Sequence, residues 1–395
     1  MLSERLPGPV GGGAIRQYNL LRQLSARHEF TVAAFAYPED LPHVAGLRPF
    51  VRRIETLELP LPAPQIHSRL YWQINAWRHA AIHTLPRRAV VPRAAEMRAV
   101  LARLLAEGAF DLIQVHQAYL VPLVPPTKTP ILLDLHDILS EYERGRFAAL
   151  PKATHRFQGW LEWRKMRAFE RAAVRRAALC AVVSEADRAA LAALAPGAPV
   201  VVAPNGVDVD YFRPAPDPGG AELLFIGSLS YPPNTDAALW FAREIFPRIR
   251  AARPDARWRV VGWNPPPEVL ALGDEPGITV TGRVEDARPY FARCALAVVP
   301  VRFGSGTRLK ILEAWAAGRA VVSTPLGAQG LEAIAGEHLL LAADPAAFAR
   351  SVVELLDQPE RRAALARAGR ALAETRYSWA HTAAQLEAGY AQVAR

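Results

Sequence analysis

Residues 296–323 read Leu-Ala-Val-Val-Pro-Val-Arg-Phe-Gly-Ser-Gly-Thr-Arg-Leu-Lys-Ile-Leu-Glu-Ala-Trp-Ala-Ala-Gly-Arg-Ala-Val-Val-Ser. The apolar runs Leu296–Val299 and Ala320–Ser323 have the length of strands, and 308–317 has the apolar spacing of a helix. Two neighbouring strands joined by a helix run parallel, because a parallel pair needs such a crossover connection. This stretch therefore predicts an α/β fold built on a parallel sheet.

The same alternation of strands and helices extends along the rest of the 395 residues. A Pro-rich segment, 214–220, interrupts the alternation and is interpreted as a linker between two doubly wound domains. We expect an N-terminal domain over 1–195, a second domain over 196–375, and a last helix over 376–395 that can cross back to the first. Ligands bind at the carboxyl ends of the strands in such sheets, so the predicted site is a cleft between the two domains.

The predicted strands are 30–35, 112–115, 131–135, 179–183, 223–226, 258–261, 278–281, 296–299 and 320–323. The predicted helices are 14–25, 93–107, 154–177, 235–252, 287–294, 308–317, 345–357, 360–374 and 379–393.

The beginning of the chain leaves no room for a full strand before the triplet 11–13. The first strand of a doubly wound domain normally lies centrally in its sheet, and losing it would leave backbone groups unpaired. Three interpretations remain. The sequence starts late, with Leu2-Ser3 as the tail of a strand encoded upstream; or the sheet is rearranged; or it is simply shorter.

Composition restricts the class of partner. The net charge is +9 and comes mainly from arginine, which favours anionic partners. The arginines are dispersed, without zinc-finger spacing or an aromatic RNA-binding signature, which argues against nucleic acid. No run of eighteen apolar residues and no signal-peptide layout occurs, so we expect a cytoplasmic protein. Cys180 and Cys294 lie in apolar stretches and are interpreted as reduced core thiols.

The turn Gly304-Ser-Gly-Thr-Arg-Leu-Lys310 opens the helix of the first stretch. A helix N-terminus offers free N–H groups and the positive end of the dipole, an arrangement suited to phosphate. Glu313 lies on the same helical face as Lys310, where its carboxylate could accept two hydroxyl groups of a ribose. The alternative is a surface helix with an exposed Lys–Glu pair. The candidate ligand-binding residues of this segment are Ser305, Gly306, Thr307, Arg308, Leu309, Lys310 and Glu313.

This segment resembles the donor-binding signature of retaining GT-B glycosyltransferases, in particular glycosyltransferase family 4 (group 1) and its subgroup that reads Gly-x-Gly-Thr-Arg-Leu-Lys. The resemblance implies two Rossmann-like domains facing across a cleft, a nucleotide diphosphate-sugar donor, and retention of configuration at the transferred sugar. The family typically carries Glu-x7-Glu. Here the second glutamate matches Glu313, and Ser305 stands where the first would bond the donor hexose.

Other segments resemble the family's donor loops. Gly12 and Gly13 match the N-terminal loop that approaches the donor diphosphate, although a flexible turn is an equal alternative. Gly227 stands where many relatives have Gly-Arg-Leu and, later, a lysine. Both cations are absent here, and Arg308 and Lys310 are inferred to supply the charge. The resemblance implies that Arg283 and Val284 contact the nucleobase through their backbone.

His116 ends a predicted strand, and the family places a histidine here near the transferring sugar. A neutral imidazole could hydrogen-bond a sugar hydroxyl. A strand-end histidine satisfied within the fold is the alternative. Arg16, His136 and Asp137 are expected on the acceptor side.

The expected function is sugar transfer to an unidentified acceptor, which is a glycan, a lipid-linked compound or a small molecule, in polysaccharide or glycoconjugate synthesis. His116, Lys310 and Glu313 are the expected catalytic residues, with no metal and no cofactor. Asp208-Val-Asp210 spells Asp-x-Asp but is interpreted as a turn. A donor-binding protein without transfer, and a GT-B epimerase or phosphorylase, are the alternatives.

The segment 156–176 combines Trp160 and Trp163 with seven cationic side chains, and 69–88 adds Trp72 and Trp77. Such helices can lie on anionic lipid, which predicts peripheral contact with the inner face of a membrane. A solvated, arginine-rich helix face is the competing interpretation.

Overall fold

The computed structural model describes residues 1–8, 11–60, 83–148, 152–304 and 306–394. It divides into two compact units, Met1–Pro204 with Thr382–Arg395, and Asn205–His381. In the described residues each unit contains one parallel sheet with helices around it. The predicted α/β class is confirmed.

The first unit is built on a sheet in the order β3-β2-β1-β4-β5-β6-β7, with every pairing parallel. The order reverses direction between β1 and β4, which makes the carboxyl ends of these two strands the switch point where ligands bind. The strands are β1 (Leu2–Ser3), β2 (Thr31–Ala36), β3 (Arg53–Glu58), β4 (Ile113–His116), β5 (Ile131–Leu135), β6 (Leu179–Val182) and β7 (Val200–Val202).

The second unit repeats this plan in the order β10-β9-β8-β11-β12-β13, again all parallel. Its switch point lies between β8 and β11. The strands are β8 (Glu222–Ile226), β9 (Arg257–Val261), β10 (Ile278–Val280), β11 (Leu296–Val299), β12 (Ala320–Ser323) and β13 (Leu340–Leu341).

Helices connect the strands and cover the sheets. Those whose bounds begin in the first unit are α1 (Gly12–Leu24), α2 (Val44–Leu47), α3 (Ala94–Glu107), α4 (Leu139–Ala148), α5 (Ala153–Arg176) and α6 (Glu185–Leu194). The others are α7 (Pro232–Trp240), α8 (Phe246–Ala252), α9 (Pro267–Leu270), α10 (Arg288–Arg293), α11 (Leu309–Ala316), α12 (Pro345–Asp357), α13 (Pro359–Arg376) and α14 (Trp379–Val393). A π-helical turn, Phe241–Ile245, joins α7 to α8.

The segment predicted as the linker and most of the predicted last helix lie in different units. The Pro-rich segment 214–220 lies within the second unit, where Arg319 donates to Pro216 O over 3.0 Å and Arg362 pairs with Asp217 over 2.6 Å. The division between units falls earlier, between Pro204 and Asn205. Most of α14 belongs to the first unit, because its apolar face joins a buried cluster there with Leu20 and Leu132.

The start of the chain contributes a short central strand. Leu2 pairs with Ala33 of β2 and with Val115 of β4, so β1 occupies the middle of the sheet with two residues. Leu2 and Ser3 are buried, and the Ser3 hydroxyl donates to Gln17 Oε1 of α1 over 2.5 Å. The hypothesis of an upstream strand segment stays a prediction.

Candidate functional site

In the second unit, loops at the carboxyl ends of neighbouring strands contact one another through their backbones. Gly227, which follows β8, donates its N–H to Val261 O over 3.0 Å, and Gly262 N–H donates to Gly282 O over 3.1 Å. A Cβ on Gly262 would lie 1.7 Å from Gly227 O, so this approach is open only to glycine. These loops therefore pack closely together at the carboxyl-terminal edge of the sheet, beside the switch point.

Lys310, in the first turn of α11, reaches this edge. Its Nζ donates to Asn234 Oδ1 over 2.8 Å and lies 4.1 Å from the centre of the Phe225 ring. A Cβ on Gly227 would stand 2.9 Å from that Nζ. Burial, with a contribution from Arg308, lowers the pKa of Lys310 to about 7. Glu313 offsets only part of this cost of burying the ammonium, and an anionic ligand would supply a further counter-charge.

Glu313 lies one turn further along α11. Burial raises the pKa of its carboxyl group to about 7, and Lys310 partly opposes that shift. Among the described residues, the Glu313 carboxylate accepts no hydrogen bond. A half-buried carboxylate of this kind is suited to accept hydrogen bonds from ligand hydroxyl groups.

The turn before α11 has the backbone shape that its glycines allow. Gly304 and Gly306 have φ values of 123° and 74°, in the left-handed region. The Thr307 hydroxyl accepts a hydrogen bond from Asn205 Nδ2 over 2.8 Å, and Arg308 Nη1 donates to Gly306 O over 2.6 Å. Ser305, the residue at the position of the family's first glutamate, lies outside the described residues.

The remaining donor candidates are distributed between the two units. Arg283 and Val284 follow β10, with the Arg283 side chain exposed. Gly12 and Gly13 begin α1 in the first unit, where a Cβ on Gly13 would lie 2.9 Å from His136 Nδ1. The structure brings Gly227, Lys310 and the turn before α11 together, and the donor role of each residue stays a prediction.

In the first unit, His116 and His136 form a buried polar cluster with Asp134. His116 and Asp134 stand opposite each other in β4 and β5, and His136 follows β5. His116 Nδ1 lies 2.9 Å from His136 Nε2 and 3.3 Å from Asp134 Oδ2. His116 Nε2 is buried and has no hydrogen-bond partner in the part of the chain that the structure describes.

A buried ion pair fixes the charge of this cluster. Arg16 of α1 holds Asp134 through Nη2 to Oδ1 at 3.1 Å and Nε to Oδ2 at 3.3 Å, and donates to Pro204 O over 3.0 Å. Although burial opposes ionisation, Arg16 and the histidines hold the pKa of Asp134 well below its usual range. Burial lowers the pKa of His116, and lowers that of His136 to about 3. Both imidazoles are therefore neutral near pH 7.

The acceptor-side candidates have different surroundings. The Arg16 side chain is 1% exposed and bound within the first unit, while His136 and the adjoining Asp137 are half-buried. Their contact with an acceptor stays a prediction.

Two groups of residues have side chains of the kind that bind metals: the cluster around His116, and the pair Asp208 and Asp210. His116, Asp134 and His136 each offer one atom, all within 4.8 Å of one another. Arg16 already neutralises the carboxylate, so the group offers a cation no net negative charge. Asp208 Oδ1 instead accepts from the N–H groups of Asp210 and Tyr211 over 3.1 and 2.9 Å, as a turn residue does.

Sequence reasoning did not assign site roles to Asp134, Gln114, Asn234 or Tyr390. The sequence context of Asp134 could have indicated a buried ion pair, since a carboxylate within an apolar strand is rarely buried without a partner. Gln114 donates to Asp134 Oδ2 over 3.4 Å and accepts from Tyr390 Oη over 2.6 Å. Tyr390 lies on α14, far along the chain, and has no local signal.

Two family models match this chain. The one described as Glycosyltransferase Family 4 matches residues 10–211, and the one described as Glycosyl transferases group 1 matches residues 220–358.

Curated relatives carry related names. The chain is 30% identical to the D-inositol 3-phosphate glycosyltransferase of Thermobispora bispora, over 50% of this chain and 51% of the relative. It is 32% identical to the phosphatidyl-myo-inositol mannosyltransferase of Mycobacterium leprae, over 50% of this chain and 55% of the relative. The chain thus spans about half the length of these relatives.

Solved structures match over nearly the whole chain. Sucrose-phosphate synthase from Thermosynechococcus elongatus has a TM-score of 0.71 at 19% identity, covering 99% of this chain and 98% of that one. Anabaena HepE in complex with UDP-glucose has a TM-score of 0.69 at 15% identity, with the same coverage. At these identities the likeness concerns the fold, and the predicted GT-B fold is confirmed. Together with a family match that covers half of its residues, this shows that the chain belongs to glycosyltransferase family 4.

Proposed function

We propose that this protein transfers a sugar from a nucleotide diphosphate-sugar to a hydroxylated acceptor, with retention of configuration. The observation that carries the proposal is the arrangement of Lys310 and Glu313 on α11, beside Gly227 at the switch point of the second sheet. A half-buried cation suits a diphosphate, and a carboxylate that accepts no hydrogen bond from the described residues suits a ribose.

The reaction breaks the bond between the anomeric carbon and the diphosphate, so negative charge grows on the leaving group. Groups that bind this charge more strongly in the transition state accelerate the step. Lys310 and the N–H groups at the start of α11 are the proposed stabilisers, and the proposed chemistry needs no metal. Retention follows from the family resemblance. The acceptor oxygen bonds to the anomeric carbon on the face from which the diphosphate departs, and the departing diphosphate takes the acceptor's proton.

The relatives' names support a polyhydroxylated acceptor. Two of them are named for transfer to inositol 3-phosphate and phosphatidyl-myo-inositol, and HepE was solved with UDP-glucose. For this chain we propose a glycan, a lipid-linked compound or a small polyol as the acceptor.

The direct test supplies nucleotide sugars with and without candidate acceptors and identifies products by mass spectrometry. A glycosylated acceptor together with free nucleoside diphosphate is the expected result. Epimerised donor in the absence of acceptor would favour an epimerase. Donor binding without any transfer or hydrolysis across the acceptor panel would favour a binding protein.

Replacing Glu313 with glutamine tests the ribose contact. The amide can accept only through its oxygen and brings two donors. At pH 8, where the Glu313 carboxyl is mainly ionised, we expect nucleoside diphosphate affinity to fall by roughly 10- to 150-fold, as for one hydrogen bond to a charged group. Titration calorimetry measures the change, with Glu337→Gln as the matched variant at an exposed glutamate of the same unit. Equal affinity in the two variants would remove Glu313 from the site.

The first unit also presents aromatic and basic side chains on α5. The rings of Phe157 and Trp160 stack with centres 5.7 Å apart, Arg164 lies 5.1 Å from the Trp160 ring centre, and Phe157 is 54% exposed. None of the helices in the described ranges combines the length with the apolar character that crossing a bilayer requires. We propose that α5 lies on an anionic lipid surface. Trp72 and Trp77, predicted to contribute, lie outside the described residues.

Removing charge from α5 should weaken binding to anionic vesicles. The double variant Arg164→Gln, Arg167→Gln is expected to lower the partition onto vesicles with one third phosphatidylserine by roughly 10- to 30-fold, since each arginine near such a surface contributes about 1 kcal/mol. The matched control, Arg243→Gln with Arg248→Gln, removes two exposed arginines from the second unit. Flotation that is independent of anionic lipid, or equal loss in both variants, would contradict the proposal.

A further inference from the structure

The surroundings of His116 determine which of its ring nitrogens carries the proton. A neutral imidazole has one N–H and one lone pair, so only one nitrogen can donate. Nδ1 faces His136 Nε2 at 2.9 Å and Asp134 Oδ2 at 3.3 Å. Nε2 is buried and unpaired among the described residues. The contacts at Nδ1 therefore determine the tautomer, and thereby whether Nε2 carries a proton.

Asp134 favours a proton on Nδ1. In the opposite tautomer, the Nδ1 lone pair would face a carboxylate oxygen at 3.3 Å with no proton between them, which is electrostatically unfavourable in a buried site. With the proton on Nδ1, both neighbours can accept it, His136 through its Nε2 lone pair and Asp134 through Oδ2. Asp134 stays ionised because Arg16 pairs with it.

The other side chains that contact the Asp134 carboxylate donate hydrogen bonds to it. Tyr390 Oη donates to Gln114 Oε1 over 2.6 Å, which turns the Gln114 amide nitrogen toward Asp134 Oδ2 at 3.4 Å. Arg16 donates to both carboxylate oxygens. Asp134 is therefore an acceptor in each of these contacts, and it is one for His116 as well.

We propose that Asp134 is a positioning residue that fixes His116 in the Nδ1–H tautomer and thereby makes its Nε2 a hydrogen-bond acceptor. The same logic holds wherever a buried carboxylate orients an imidazole. A hydrogen-bond acceptor such as Nε2 binds a hydroxyl group. It disfavours an ionised phosphate oxygen, which has no proton to donate. Nε2 can therefore pair with an O–H group, of a substrate or of water. The tautomer does not depend on the proposed function.

Nuclear magnetic resonance of ¹⁵N-histidine-labelled protein tests the tautomer without any substrate. His116 is assigned by the disappearance of its signals in His116→Gln. We expect the Nδ1 signal at the shift of a protonated ring nitrogen and the Nε2 signal at that of an unprotonated one, at pH 7. The reverse pattern would overturn the proposal.

Variants separate the influence of Asp134 from that of His136. Asp134→Asn alone would leave the Arg16 charge buried and unpaired, so the informative variant is Arg16→Met with Asp134→Asn, which buries neither charge. Its amide can donate to Nδ1, and we expect the Nε2–H form of His116 to appear. His136→Leu retains Asp134 and should keep the wild-type tautomer. An unchanged tautomer in the double variant, or its loss in His136→Leu, would transfer the role to His136.

Discussion

Replacing Arg16 with methionine is expected to lower the free energy of unfolding of the first unit by about 3–5 kcal/mol, the range for breaking a buried ion pair from one side. The Arg16 and Asp134 side chains are 1% and 0% exposed, so water cannot replace the lost guanidinium. The remaining carboxylate would be buried beside two neutral histidines. Because the pair depresses the pKa of Asp134, its contribution is complete at neutral pH and disappears as the pH falls below the ordinary range of a carboxyl group.

Urea denaturation followed by far-ultraviolet circular dichroism measures the effect. The matched control is Arg52→Met, which removes an arginine paired with Glu29 when both are largely exposed, and which should change stability little. The double variant Arg16→Met, Asp134→Leu leaves no unpaired charge and should recover most of the loss. If Arg16→Met and Arg52→Met unfold at the same urea concentration, Arg16–Asp134 does not anchor the first unit.

Replacing Lys310 with alanine is expected to weaken nucleoside diphosphate binding by about 1.5–3 kcal/mol, or roughly 10- to 150-fold, as for a charge-assisted hydrogen bond. Lys310 is the cation placed at the glycine-lined edge, and the change removes it while keeping the helix. Titration calorimetry at pH 7 gives the affinities. Lys128→Ala, at an exposed lysine of the first unit, is the matched control.

Lys310 also predicts how binding depends on pH. Its pKa in the free protein is lowered to about 7, and a bound diphosphate favours the ammonium form. At pH 8 the free lysine is mostly neutral, so binding should take up close to one proton, and affinity should fall as the pH rises above 7. Calorimetry in buffers with different ionisation enthalpies counts this proton. Equal proton uptake in wild type and Lys310→Ala would assign it to another group.

The sequence predicted the longer strands that helices cover on both faces, and it missed the exposed edge strand β3. Ile131–Leu135, Leu296–Val299 and Ala320–Ser323 have the predicted bounds, because a parallel strand covered by helices is a continuous apolar run. The strand Arg53–Glu58 was missed, since it pairs only with β2, is partly exposed throughout, and alternates charged with apolar residues irregularly. The short strands β1, β7 and β13 have too few residues for a periodic signal.

The candidate site divides in a similar way. The helical period and the glycine-rich turn placed Lys310 and Glu313 as candidates, the family resemblance added Gly227, and the structure shows Lys310 at Gly227. The partners of His116 could not be found locally. Arg16 and Asp134 are 118 residues apart in sequence, and Tyr390 and Gln114 are 276 apart. Such pairs arise from the order of strands in the sheet and from the return of α14 to the first unit, which a local pattern does not contain.

The central claim, a nucleotide diphosphate-sugar site in the second unit, is tested most directly by a thermal-shift screen. Wild type and Lys310→Ala are compared at equal concentrations of uridine, guanosine and adenosine diphosphates and their sugars. We expect one base series to raise the wild-type midpoint, because a ligand at 100 times its dissociation constant stabilises by about 2.7 kcal/mol, and we expect most of that shift to be lost in the variant. No shift with any nucleotide at millimolar concentration, or equal shifts in both proteins, would contradict it.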